Sequence, residues 1–141
     1  MTRYSDWASR LEAFLLAQAG RKFQYGCFDC CLFVCDAVQA MTGTDPAHGL
    51  RRYNSAKTAA AMIRSYGQSS VGGFVASVAA RLGMREIAMP YAKRGDVVLL
   101  KRGARGSSLG LLALDGAHAI VPGAVGLVGV PRLTAMRAWA V

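Results

Sequence analysis

Tyr25-Gly26-Cys27-Phe28-Asp29-Cys30-Cys31-Leu32-Phe33-Val34-Cys35 is the stretch on which the fold turns. An aromatic, glycine-bearing turn runs into Asp29, whose carboxylate suits the N-cap of a helix. The spacing predicts a helix from about Cys30 to Thr42, with Cys30 or Cys31, Val34, Val38 and Met41 on its buried face and Gly43 closing it. Cys30 then stands at the first helical position. There, unpaired N–H groups and the helix dipole favour a thiolate. All four cysteines fall between Cys27 and Cys35. That is no distributed disulfide framework, and it fits a reduced compartment.

Outward from this segment, Trp7, Leu11, Phe14 and Leu15 recur at helical spacing after Ser5 or Asp6, and Gly20 ends that helix. Residues 45–52, with Pro46 and Gly49, read as a loop and a candidate partner surface. Asn54 or Ser55 caps a third helix to Tyr66, and a fourth runs from about Gly73 to Leu82. Beyond Gly83 the pattern changes to short β-rich runs: 96–101, 109–114, 117–121, 127–130 and 138–141. Asp115-Gly116 is a two-residue hairpin signal between two of them. Helices first and strands second imply an α+β fold over a single domain, residues 1–141, with the helices packed on an antiparallel sheet.

Composition narrows the function classes. At 141 residues and 53% hydrophobic, the chain can build a core, and a disordered reading fails. No apolar run reaches the ~20 residues of a membrane span. The N-terminus lacks a signal-peptide layout, so synthesis and folding in the cytoplasm are expected. Seventeen basic against eight acidic residues give a charge of +9. The basic residues are scattered as Arg51-Arg52, Lys93-Arg94 and Lys101-Arg102. They form no recognition helix, which argues against nucleic acid as the partner.

The cysteine segment resembles the nucleophile segment of NlpC-like cysteine peptidases, where a Tyr-Gly or similar pair precedes an Asp-Cys-Ser-Gly-Phe-Val motif. Arg94-Gly95-Asp96-Val97-Val98 is similar to the Gly-Asp-Leu strand of that family. Ser108-Leu109-Gly110-Leu111-Leu112 falls where the family carries His-Val-Gly-Ile-Tyr, and Gly116-Ala117-His118-Ala119 where it carries a second polar residue. The resemblance spans about residues 23–130. It is narrower still to small NlpC-like proteins encoded among phage and prophage tail genes, which look similar in Asp29-Cys30-Cys31, Ala40-Met41-Thr42-Gly43-Thr44-Asp45 and Ala138-Trp139.

The resemblance implies a papain-like fold with Cys30 as nucleophile and no cofactor. It implies peptidoglycan as the substrate if the site is active. Tyr25, Asp29 and Ser108 are then the substrate and oxyanion region. A cysteine hydrolase also needs a base, and the position resembling the activating histidine holds Ser108. His118 is the candidate replacement, and His48 reads as a loop residue. Three expectations follow: a catalytically degenerate domain serving as a phage tail-tip or baseplate component, assembled with other tail proteins into the virion; an active peptidase using Cys30 and His118; or a metal or iron–sulfur site at Cys27, Cys30, Cys31 and Cys35.

Overall fold

The computed structural model describes residues 1–104 and 106–141. Four helices precede a six-stranded sheet, an α+β architecture. The helices are α1 (Trp7–Gln18), α2 (Cys30–Thr42), α3 (Ala56–Ser65) and α4 (Val71–Arg81). The strands are β1 (Glu86–Ile87), β2 (Val97–Arg102), β3 (Gly106–Leu112), β4 (His118–Gly123), β5 (Gly126–Pro131) and β6 (Ala135–Trp139). Their order is β1-β6-β2-β3-β4-β5, every pair antiparallel.

Three of the four helices begin on a side-chain cap. Asp29 accepts the Leu32 N–H, Ser55 the Thr58 N–H, and Ser70 the Gly73 N–H. Asp6 precedes α1 but makes no cap bond; its carboxylate pairs with Arg10 at 2.8 Å instead. Helix α2 ends at Gly43, whose φ of +79° suits a residue without Cβ.

Helix α2 lies across the sheet and is the centre of the main core. Phe33, Val34, Ala37, Val38 and Met41 pack with Val97, Leu99, Leu109, Leu111 and Trp139. The opposite face of β2 and β3 is also covered: Val98, Leu100 and Leu112 join Ala119, Val121 and Ala138, with Ile87 and Met89 over them. This explains why Val97-Val98-Leu99-Leu100 is an unbroken apolar run rather than an alternating one. Gly110 lets β3 and β4 approach, since a Cβ there would stand 2.7 Å from the Ile120 carbonyl oxygen.

The loop 45–52 is anchored by its own buried Ala47 and Leu50 and by Arg51 bridging Asp36 and Asp45, and it leaves His48, Gly49, Arg51 and Arg52 exposed. One expectation changes. Asp115-Gly116 does not make a two-residue hairpin. Asp115 Oδ1 accepts the Ala117 and His118 N–H groups, and the ladder closes with Ala113 N–H donating to His118 O. The side chain thus competes with the tight turn and widens the loop. Asp96 does hold structure, as a mostly buried carboxylate: Arg3 reaches it at 2.6 Å and also binds the Val141 and Arg94 carbonyls, tying both termini to the start of β2.

Candidate functional site

The turn before α2 is fixed from both sides. Gly26 has φ +80°, and a Cβ there would overlap the Tyr53 carbonyl, so only glycine fits. The Asp29 carboxylate is fully engaged. It accepts the Leu32 N–H (2.9 Å), the Gly26 N–H (2.9 Å) and the Tyr53 hydroxyl (2.6 Å). Burial and that bond push the Tyr53 hydroxyl well above its ordinary pKa, so it stays a donor. Asp29 therefore shapes the helix entry, holding the turn, the first turn of α2 and Tyr53 together.

Cys30 and Cys31 occupy the first two positions of α2. Cys30 faces a cleft of about 500 Å³ shared with Tyr25, Arg102, Ser107, Ser108, Pro122 and Gly123. A hydrogen bond from the Cys31 thiol, helped by the Leu109 N–H and the Ser108 hydroxyl, outweighs burial and the nearby Asp29 charge. Together they pull the Cys30 thiol down from 9.0 to about 7. Cys31, spending its proton on Cys30 and buried, is pushed well up. Cys35 is pushed to about 12, first by burial. Of the four thiols, all of them unbridged, Cys30 is the one whose pKa is lowered.

Ser108 sits where sequence placed it, beside Cys30 on β3. Tyr25 lines the same cleft and packs edge-on against Phe23 at 4.9 Å. His118 does not join them. It opens β4 at the far end of the strand from Gly123, which does line the cleft. Five residues at about 3.3 Å each put His118 roughly 16 Å along the strand from that point. Its Nδ1 pairs instead with Asp115 Oδ2 at 2.7 Å on the exposed turn. The pairing of His118 with Cys30 expected from the sequence is therefore corrected. The register carries His118 to the other end of the hairpin, and among the described residues no histidine lines the cleft. His48 is exposed in its loop.

The four-cysteine metal reading is corrected as well. Cys27 is exposed in the turn, Cys30 and Cys31 line the cleft, and Cys31 and Cys35 border an apolar cavity beside it. Among the described residues, no three His, Cys, Asp or Glu side chains converge as a ligand set.

Sequence reasoning missed Tyr53 and the Pro122–Gly123 wall. Tyr53 reaches Asp29 from 24 residues away, and its one local sign is an aromatic at the end of a polar loop. The chemistry available is a cysteine thiol of lowered pKa at the head of a helix. What is missing is a group to protonate an amine leaving from an amide.

No helix among the described residues is long and apolar enough to cross a membrane. A search of curated proteins finds no match. One family model, described as "Domain of unknown function (DUF6950)", matches residues 2–141. With that match running nearly end to end, the chain belongs to the DUF6950 family.

Proposed function

We propose that the protein is a structural component of a phage tail tip or baseplate, built on an NlpC-like, papain-type fold whose hydrolase activity has been lost. The observation that carries the loss of activity is the side chain facing Cys30: the nucleophile's niche is intact, yet Ser108 stands where an activating imidazole is needed. A serine cannot form the cation of an ion pair or hand a proton to a leaving amine at neutral pH. The assignment to a tail rests on the resemblance of Asp29-Cys30-Cys31, Arg94-Gly95-Asp96 and Ala138-Trp139 to small proteins encoded among tail genes. Two surface features agree with assembly. The charge of +9 suits acidic neighbours, and Val125 in the β4–β5 turn, Val128 on β5, Leu133 between β5 and β6, and Met136 on β6 are exposed.

The test has two arms. Purified sacculi incubated with the protein and analysed by mass spectrometry should release no new muropeptide. Labelling of mature particles from the encoding genome with an antibody should mark one end of the tail. Muropeptide release that is lost in Cys30→Ala overturns the retired enzyme. Mature particles without the protein overturn the tail assignment.

A further inference from the structure

Basic residues that lie far apart in the sequence are gathered by the fold around Lys93. Two open clefts, of about 910 and 370 Å³, adjoin along Arg3, Ala92 and Lys93 and share no lining residue with the cysteine cleft. Arg85 lines the larger, Arg94 and Arg132 the smaller, and Lys93 both. The carboxylates on this trough are already engaged. Asp96 is held by Arg3 at 2.6 Å, and Glu86 accepts Arg137 Nε and Nη2 at 2.7 and 2.9 Å. Among the described residues, no carboxylate pairs with Arg85, Lys93, Arg94 or Arg132. A terminal carboxylate at Val141, on the wall of the larger cleft, would offset one of those four charges.

Arg132 is a fixed cation. Its guanidinium donates to the Gly116, Met89 and Ala92 carbonyls at 3.2, 2.8 and 2.8 Å, which hold it in place and leave its charge unneutralised. A side chain already held this way has little freedom left to lose on binding. Tyr91, 74% exposed after Pro90, adds an aromatic ring to the larger cleft. That cleft also borders β1, an edge strand paired on one side only.

We propose that this trough is the docking site for an extended acidic peptide segment of a partner protein. The segment's carboxylates meet Arg85, Lys93, Arg94 and Arg132, and its backbone meets the open edge of β1. Nucleic acid suits the trough less well. A single strand binds by stacking successive bases on several rings, and the two clefts offer only Tyr91 and Trp7, on which Arg3 already stacks at 4.3 Å. Nor has a nucleic acid a peptide backbone to add to a strand edge. The identity of the partner as a tail neighbour rests on the assembly reading above; the binding itself does not.

Fluorescence anisotropy of the full chain with labelled probes tests the proposal. The probes are a dodecapeptide of alternating Glu and Thr, its counterpart of alternating Gln and Thr, and a heptathymidylate matched to the first in charge. At low salt the Glu-Thr peptide should bind about tenfold or more tighter than either of the others, and added salt should weaken it. Arg85→Glu with Lys93→Glu should weaken it about tenfold or more; both side chains are exposed, so the reversal leaves the core intact. Lys57→Glu with Arg64→Glu, at exposed positions on α3, changes the net charge equally and should change binding less than about threefold. Equal losses in the two double variants would mean that net charge alone attracts the peptide, and the site is overturned. It is overturned equally by Glu-Thr and Gln-Thr peptides that bind alike, by no binding at all, or by heptathymidylate binding the tighter. None of these outcomes bears on tail assembly, which the particle labelling decides separately.

Discussion

Cys30 and His118 stand at opposite ends of the β3–β4 hairpin, and the two ends are built differently. At the open end the turn, the helix cap and the strand all converge on one sulfur. Asp29 is buried with three donors on it, Gly26 admits no side chain, and Ser108 lines the same cleft as Cys30 from the sheet. At the closed end, Asp115 and His118 bind each other and their own backbone in solvent. A thiolate niche needs many residues held to a fraction of an ångström. A histidine–aspartate pair on a turn needs only local hydrogen bonds. The residues around the one sulfur lie at one end of the hairpin, and the imidazole lies at the other.

Removing the buried carboxylate is the largest test of this difference. Asp29→Ala strips the cap from α2 and leaves the Gly26 N–H and Tyr53 hydroxyl without their acceptor, which costs about 2–4 kcal/mol. Urea unfolding should show that loss, with Asp29→Asn recovering part of it. Asp115→Ala should leave the urea midpoint where it is. Equal losses at both sites would erase the contrast.

Supplying the missing group comes next. Ser108→His puts an imidazole beside Cys30 and creates a cation–thiolate pair. An opposite charge within ~4–6 Å lowers an acid's pKa by about 1–3 units. Alkylation of Cys30 measured against pH should move its midpoint down from about 7 by that amount. A midpoint that stays put would mean that β3 does not present position 108 to the thiol.

The thiols also leave a mark on stability. Cys30 has its folded pKa lowered from 9.0 to about 7, so its contribution grows as pH rises from 7 to 9 and is lost as pH falls back through 7. Cys31 and Cys35 have theirs raised, so above 9 the unfolded chain loses protons that the folded chain keeps, and stability declines. Denaturation under reducing conditions should show a gain of about 1–2 kcal/mol between pH 7 and 9 and a fall beyond it. Cys30→Ala should remove the rise and keep the fall.

Local signals carried most of the fold. Asp29, Ser55 and the glycine at 43 mark helix ends through the chain's own backbone, so α2 and α3 were legible almost to the residue. Ser70 was overlooked as the cap of α4, because Gly72 and Gly73 mask a helix start. The two-residue β1 has no periodicity to read, being defined by pairing with β6 some fifty residues later. At the site, Cys30 and Ser108 were legible because each sits in a motif. The Tyr53 clamp, the donation by Cys31 and the apolar cavity were not, because they arise where α2, α3 and the sheet meet. His118 was misplaced for a related reason. Spacing along the chain fixes the order of strands but not which end of a hairpin faces the helix, and only the register decides that.

The smallest expected effect closes the comparison. If His118 served Cys30 as a base, His118→Ala would abolish fast alkylation near neutral pH and straighten the pH profile. The fold predicts almost no change. His118 lies roughly 16 Å along β4 from Gly123 at the cleft, and a charge at that range is screened to less than a twofold effect at physiological salt, since the Debye length there is about 8 Å. The donors that lower the Cys30 thiol are Cys31, Leu109 and Ser108, none of which touches the turn. Rates for the two proteins should therefore superimpose within a factor of two from pH 5 to 9. A larger difference would require the hairpin to be registered otherwise, since no other route brings that imidazole to the cleft.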